Sequence, residues 1–144
     1  MRRLLGLMII GLVPSFAFAQ GAPEFLDINR QSPAPFTPAV RVGNIIYLAG
    51  QLGTVGGKLV PGGIAPETKQ ALQNIKDLLE KVGSDMEHVV KCTVLVADIK
   101  EWPAMNDVYR TMFTPGKFPA RSALGANGLA LGARTEIECI AVVK

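Results

Sequence analysis

Residues that bind metals and nucleotides are scarce in this sequence. Its 144 residues include one histidine, His88, and two cysteines, Cys92 and Cys139. Zinc sites need several Cys, His or carboxylate ligands at recognisable spacings, and no Cys/His cluster has such a spacing here. His88 has no evident partner either. The glycine-rich segment 52–63 lacks a GxGxxG and the Gly-Lys-Ser/Thr ending of a phosphate loop, so we interpret it as turns and a short loop. The sequence therefore predicts no metal site.

Charged residues are also few, at 19% of the chain, whereas 49% of the residues are apolar. This composition is too poor in charge for a disordered chain and is rich enough in apolar residues to form a core. A length of 144 residues is typical of a single globular domain.

The first 19 residues have the organisation of a secretory signal peptide. A basic start (Arg2, Arg3) precedes an apolar stretch at 4–13 and the small-x-small triplet Ala-Phe-Ala at 17–19. The stretch is shorter than the roughly 18–20 residues that span a bilayer, which disfavours an uncleaved membrane anchor. We expect cleavage after about Ala19, which leaves residues 20–144 as a periplasmic or secreted domain without membrane attachment.

Cleavage would leave an almost neutral protein. Of 15 Lys and Arg residues two lie in the signal segment, so 13 basic residues remain against 12 acidic ones, a net charge of +1. Binding to nucleic acid depends on clustered Lys and Arg, which this chain lacks, so no nucleic-acid partner is expected.

Export would place Cys92 and Cys139 in an oxidising compartment, where a disulfide persists. A bridge requires Cα atoms within about 7 Å, which the sequence does not establish. We expect two buried thiols that pack as small hydrophobic residues.

Hydrophobic periodicity predicts strands and two helices in the order β, β-hairpin, α, β, α, β, β. The Gly43-Asn44 dipeptide between β-prone segments is typical of a tight hairpin turn. Helical positions at spacings of three and four define a first helix over 66–82 and a second after Asp98, which ends at 114–116. Strands are expected over 24–28, 39–42, 45–49, 89–97, 122–126 and 135–143.

The helix ends carry recognisable signals. Pro66 suits a first helical turn and Gly83 suits the left-handed position after a helix. Asp98 and Glu101 have the spacing of a capping box. The second helix has an aromatic and methionine stripe, interpreted as core packing, at Trp102, Met105, Tyr109, Met112 and Phe113.

This element order predicts an α+β two-layer domain in which one sheet carries both helices on one face. In the last strand Glu136 and Glu138 lie on one side and Cys139 on the other, so neither face of the sheet is purely solvated. Self-association is expected to cover the second face.

Arg121 is the main candidate for chemistry. It follows Pro119 and Ala120 and precedes small residues, so a guanidinium at the start of a strand has open space in which to bind a carboxylate. The alternative is a surface arginine paired with Glu136 or Glu138.

The string PARSALGANGLALGARTEIECIAV, together with VRVGNIIYLAGQ, ETKQALQNIKDLLEKVG, VVKCTVLVAD and MNDVYRTMF, resembles the Rid family of imine/enamine deaminases, also called YjgF-type or L-PSP proteins. The resemblance extends from about Pro35 to Val143. It implies a chorismate-mutase-like α+β fold with one mixed sheet, assembled as a homotrimer with three clefts at the subunit interfaces. It also implies hydrolysis of reactive 2-imino and 2-enamino acids to 2-oxo acids and ammonia, with no cofactor.

The resemblance further implies roles for individual residues. Arg121 would bind the substrate carboxylate, Glu136 would position or activate water, and Asn106 and Gly50 would line the cleft. Three cleft residues depart from the family pattern: Phe36 stands where many members have tyrosine, Ala49 where many have serine and Ala123 where many have cysteine.

Three functions are therefore considered. The leading hypothesis is an exported imine/enamine deaminase. The second is a catalytically silent trimer that binds small carboxylates or acts as a protective protein, which the missing hydroxyls at Phe36 and Ala49 favour. The third, RNA cleavage, is disfavoured by the near-neutral charge and the absence of a basic aromatic platform.

Overall fold

A computed structural model describes residues 21–28 and 34–144. The signal peptide expected at residues 1–19 lies outside the described residues. Two helices occur in the described ranges, α1 (Ile64–Lys81) and α2 (Trp102–Tyr109). The strands are β1 (Glu24–Leu26), β2 (Ala39–Val42), β3 (Ile45–Leu48), β4 (Gln51–Leu52), β5 (Thr54–Val55), β6 (Lys58–Leu59), β7 (Val89–Val96), β8 (Ala120–Gly125) and β9 (Thr135–Val142).

Seven strands form one mixed sheet in the order β1-β2-β3-β9-β7-β8, with β4 also paired to β9. All pairings are antiparallel except that of β7 with β8, which is parallel. Parallel neighbours need a crossover connection, and α2 provides it between β7 and β8. This connection brings α2 close to the edge strand β8.

The two helices contact each other and cover one face of the sheet, which confirms the predicted α+β two-layer fold. The core lies between these layers, because every second residue of the central strands faces the helices. On the sheet it includes Ile46, Leu48, Val94, Val96, Ile137 and Ala141, and on the helices Leu72, Ile75, Leu79, Met105 and Tyr109. Within the described residues no helix is long and apolar enough to cross a membrane.

The predicted turns are confirmed, whereas both helices and the segment 52–63 differ in detail. Helix α2 ends at Tyr109 and is followed by a 3₁₀ turn over Arg110–Met112, short of the predicted end at 114–116. Gly43 has the positive φ of 60° that the β2–β3 hairpin turn requires, and Gly83 has a φ of 82° after α1. Helix α1 begins at Ile64, two residues earlier than predicted, because Ile64 is itself buried in the core. The segment 52–63 is more regular than a loop, since β5 and β6 form a small hairpin.

The capping box predicted at Asp98 and Glu101 is wrong in its second half. The Asp98 side chain accepts a hydrogen bond from the Lys100 backbone N–H and caps a short 3₁₀ turn before α2. The Glu101 carboxylate instead forms an ion pair with Arg134, whose Nε lies 2.8 Å from it. A cation from a distant loop thus competes successfully for the glutamate, and this pair joins the start of α2 to the start of β9.

The expectation of two free buried thiols is also wrong. Cys92 on β7 and Cys139 on β9 lie directly opposite each other with Cα atoms 4.1 Å apart, and they form a disulfide. Both side chains face the helices and are almost completely buried. Strand pairing supplies the proximity that the sequence did not establish.

His88 has a partner, contrary to expectation. Its Nδ1 lies 2.7 Å from Oδ1 of Asp85, and the Lys144 ammonium lies 3.6 Å from the other oxygen of the same carboxylate. The hydrogen bond with His88 holds the pKa of Asp85 below its usual value. This surface cluster stabilises the turn before β7 and lies away from the candidate site described below.

The sheet face opposite the helices carries large apolar side chains that no other element of the described chain covers. We call this surface the outer face. The strand registers place Phe25, Ile45, Tyr47 and Leu124 on it, with 71%, 36%, 46% and 49% of their surface exposed. An apolar surface of this extent is typical of a protein–protein interface.

Candidate active site

Arg121 lies on the edge strand β8 and points to the helix side of the sheet. Its register partner on β7 is Cys92, which in turn is opposite Cys139 on β9, and both cysteines face the helices. Because β8 follows the α2 crossover, the guanidinium comes to lie beside one surface of α2.

Three side chains of α2 surround the guanidinium. Nη2 of Arg121 donates a hydrogen bond of 2.8 Å to Oδ1 of Asn106. The central carbon Cζ lies 4.4 Å from the ring centroid of Tyr109 and 5.7 Å from that of Trp102. Positions 102, 106 and 109 recur at spacings of four and three, so these side chains lie on one stripe of the helix. We call Trp102, Asn106 and Tyr109 the α2 cradle.

No carboxylate forms an ion pair with Arg121 within residues 21–28 and 34–144. The alternative of a surface arginine paired with Glu136 or Glu138 is therefore wrong for this structure. A guanidinium has five N–H donors, and the bond to Asn106 occupies one of them. The remaining donors make Arg121 an uncompensated cation, suited to an anionic ligand.

A cleft of about 240 Å³ borders this cation. Its walls come from the C-terminal half of α2 and from the segment that enters β8, and they consist of Asn106, Tyr109, Arg110, Phe118, Pro119 and Arg121. The volume and the positive charge suit a small organic acid better than a nucleotide.

Glu136 lies elsewhere in the subunit. It is three residues before Cys139 on β9, and since side chains alternate, its carboxylate is on the outer face whereas Arg121 is on the helix side. A Cβ atom added to Gly50 would overlap Oε1 of Glu136. Glycine at position 50 thus permits the carboxylate to lie against the backbone between β3 and β4.

The structure also shows where the other predicted residues, Ala123, Ala49 and Phe36, lie. Ala123 is two residues after Arg121 on β8 and shares its side of the sheet. Ala49 directly precedes Gly50, and its N–H donates to the carbonyl of Pro38. Phe36 lies two residues before Pro38 with 63% of its surface exposed. We call Arg121, Asn106 and Ala123 the arginine half-site, and Glu136, Gly50 and Ala49 the glutamate half-site. Phe36 belongs to neither group, because it borders a cleft beside α1 with Asn74 and Leu78.

The sequence predicted only core packing for Tyr109 and Trp102, two residues of the α2 cradle. Tyr109 is 3% exposed as predicted, but its ring also contacts the cation, and Trp102 keeps 37% of its surface exposed. The Tyr109 hydroxyl has no hydrogen-bond partner among the residues described. Burial raises the pKa of Tyr109 to about 12, although the Arg121 charge opposes the rise, so this side chain is neutral at physiological pH.

A metal site was not predicted, and the described residues contain no group of three His, Cys, Asp or Glu side chains arranged to hold an ion. The arginine half-site contributes the Arg121 guanidinium and the Asn106 amide, and the glutamate half-site contributes the Glu136 carboxylate.

Comparison with known proteins gives concordant results. The sequence pattern of the family described as Endoribonuclease L-PSP matches residues 28–143. A 2-iminobutanoate/2-iminopropanoate deaminase from Capra hircus is 50% identical over 110 residues, 75% of this chain and 80% of the goat protein. The crystal structure of the yeast protein YEO7 superposes with a TM-score of 0.75 at 38% identity, covering 78% of this chain and 90% of the yeast chain. The Rid-family protein YyfA from Yersinia pestis, of unknown function, gives a TM-score of 0.76 at 32% identity, covering 85% of this chain and 100% of its own.

Proposed function

Because the chain belongs to the Endoribonuclease L-PSP family, also called the Rid family, we propose that it hydrolyses reactive 2-imino and 2-enamino acids to 2-oxo acids and ammonia. The name of the goat relative supports this reaction. The observation that carries the proposal is Arg121, an uncompensated cation whose free N–H donors border a cleft sized for a small acid.

The proposed reaction requires little of the protein beyond orientation and proton transfer. Arg121 binds the substrate carboxylate through two N–H donors, which fixes the position of the adjacent C=N carbon. Water adds to the carbon of the protonated imine while the Glu136 carboxylate accepts one water proton. Glu136 then passes this proton to the amino nitrogen of the tetrahedral intermediate. The C–N bond breaks as the hydroxyl oxygen forms the C=O bond and returns its proton to Glu136, which releases ammonia and the 2-oxo acid. A 2-enamino acid first accepts a proton at C3 and becomes the imine.

In this proposal the two half-sites come from different subunits. Arg121 and Glu136 are on opposite faces of the sheet, so they cannot reach one small substrate within a single chain. The apolar outer face, which includes Tyr47 and Leu124, supports burial of the glutamate half-site against another copy. We infer a homotrimer with a cleft at each interface, where Arg121 of one subunit meets Glu136 of the partner subunit. Light scattering should give three times the subunit mass, and a monomer at micromolar concentration would contradict this assembly.

Mixing two impaired variants tests both the reaction and the shared cleft. Imino acid is generated by an amino-acid oxidase, and formation of the 2-oxo acid is followed with and without the purified protein. Arg121→Ala and Glu136→Gln should each retain only a small fraction of wild-type activity, at most about a tenth for Arg121→Ala. After joint unfolding and refolding in equal amounts, random cyclic trimers should recover roughly a quarter of the wild-type activity, because that share of interfaces unites two intact half-sites. A mixture with no more activity than either variant alone would show that Arg121 and Glu136 do not act together across a subunit interface.

A second candidate function is binding of small carboxylates without catalysis. Phe36 and Ala49 favour it, because neither side chain offers the hydroxyl that many family members have at these positions to orient water or substrate. Calorimetry with 2-oxo acids distinguishes the candidates: binding that depends on Arg121, with no acceleration of imine hydrolysis for any substrate, would favour the silent protein.

We also propose that the chain is exported and cleaved after Ala19. The buried Cys92–Cys139 disulfide supports this location, because structural disulfides persist mainly in oxidising compartments. Expression of the full chain in a Gram-negative host, followed by fractionation and mass spectrometry, should give periplasmic protein that begins at Gln20. Ala17→Leu combined with Ala19→Leu should block cleavage. A cytoplasmic, full-length wild-type product would contradict export.

A further inference from the structure

The ring face of Tyr109 is the nearest aromatic surface to the Arg121 guanidinium, with 4.4 Å between Cζ and the ring centroid. Tyr109 is 3% exposed and packs against Phe113, with ring centroids 4.8 Å apart. A ring fixed in the core offers the guanidinium a rigid surface on which it lies over the π electrons.

The Tyr109 ring contacts Arg121 without adding a charge, and this matters for ligand binding. A carboxylate beside Arg121 would also orient the guanidinium, but it would neutralise the charge and occupy the donors that a substrate needs. The Tyr109 ring and the Asn106 amide oxygen orient the same group without adding negative charge. Four N–H donors stay without a partner among the described residues, and the full positive charge stays available.

The Tyr109 hydroxyl is buried and lacks a partner within residues 21–28 and 34–144, so it adds no stabilising contact of its own within the subunit. The ring face, by contrast, contacts the uncompensated Arg121 guanidinium. From these contacts we propose that Tyr109 is a positioning residue: its ring face holds the Arg121 guanidinium in the orientation that receives the substrate carboxylate. This inference rests on the proposed function.

Kinetics of matched variants test the proposal. Tyr109→Leu removes the π surface and should raise KM for an imino acid by about 5- to 30-fold, with a much smaller effect on kcat, because the lost interaction serves carboxylate binding. Tyr109→Phe keeps the ring and should restore KM to near the wild-type value. Phe113→Leu is the control, since it exchanges a buried aromatic ring of the same helix region, without a cation–π contact to Arg121, for an apolar side chain that should still pack on Tyr109. It should lower stability as Tyr109→Leu does and leave KM within about twofold of wild type.

A readout independent of activity separates this proposal from the proposed function. In an NMR spectrum, the Arg121 Nε–Hε signal, assigned by its loss in Arg121→Lys, should be shifted upfield by the Tyr109 ring. The shift should persist in Tyr109→Phe and Phe113→Leu and disappear in Tyr109→Leu.

The outcomes can be distinguished. An unshifted signal in wild type, or equal rises of KM in Tyr109→Leu and Phe113→Leu, would overturn the positioning role. Wild-type protein that has the shifted signal but neither hydrolyses imino acids nor binds 2-oxo acids would overturn the proposed function and leave the contact between Tyr109 and Arg121 established.

Discussion

Loss of the Cys92–Cys139 disulfide should remove a large part of the stability of this domain. The two cysteines are 47 residues apart in sequence and join the adjacent strands β7 and β9 inside the core. Closing a loop of this length lowers the entropy of the unfolded chain by an amount that corresponds to about 4 kcal/mol at 25 °C. Because domains of this size are stable by about 5–15 kcal/mol in total, this loss is roughly a quarter to four fifths of the free energy of unfolding.

The measurement is equilibrium unfolding in urea with and without a reductant. Both side chains are at most 2% exposed, so samples must equilibrate in denaturant to allow reduction. The free energy of unfolding should fall by about 4 kcal/mol in reductant. In Cys92→Ala combined with Cys139→Ala it should not depend on reductant. Equal stability of wild-type protein in both conditions, or two free thiols titrated in denatured, unreduced protein, would refute the reasoning.

Two further predictions concern the glycines Gly50 and Gly53 and the buried phenol of Tyr109. Gly53→Ala should lower the free energy of unfolding by about 1–3 kcal/mol or more, because its Cβ would lie 2.5 Å from the Glu67 backbone. Gly50→Ala should displace only the Glu136 carboxylate, so it should reduce deaminase activity more than stability. Equal effects of both substitutions in thermal unfolding and in the imino-acid assay would contradict this distinction. The absorbance change of Tyr109 ionisation should appear near pH 12 and be missing in Tyr109→Phe. Because this pKa exceeds the unfolded value of 10.0, the associated stability is complete below pH 10 and falls by roughly 3 kcal/mol at most as pH rises through 12. A free energy of unfolding that does not change with pH over that interval would count against this prediction.

Local patterns predicted the elements well, because each depends on residues close in sequence. The spacing of apolar positions from Ala71 to Leu79 and the Gly43-Asn44 turn are sufficient to indicate α1 and the β2–β3 hairpin. Glu101 shows where such reasoning fails: its spacing from Asp98 is correct for a capping box, but Arg134 lies close enough in the fold to bind it.

The features that escaped prediction depend on strand order. Cys92 meets Cys139 only because β7 pairs with β9 in one particular register. Arg121 meets Tyr109 only because α2 crosses over to the parallel edge strand β8. Alternation of side chains along β9 is enough to put Glu136 and Cys139 on opposite faces of the sheet. The face that Arg121 occupies, however, depends on the register of β8 with β7. The resemblance named the candidate site residues, and the fold places Arg121 and Glu136 on opposite faces of the sheet.

The central claim is that the Arg121 guanidinium binds the carboxylate of a reactive imino acid. The most direct measurement is kcat/KM for imino-acid hydrolysis in wild type, Arg121→Ala and the control Arg41→Ala, which removes a half-buried arginine whose Nε donates to the Gly43 carbonyl. Loss of a charge-assisted pair predicts a fall of about 10- to 160-fold for Arg121→Ala and little change for Arg41→Ala. If wild type does not accelerate hydrolysis, or if both variants retain wild-type values, Arg121 does not have this role.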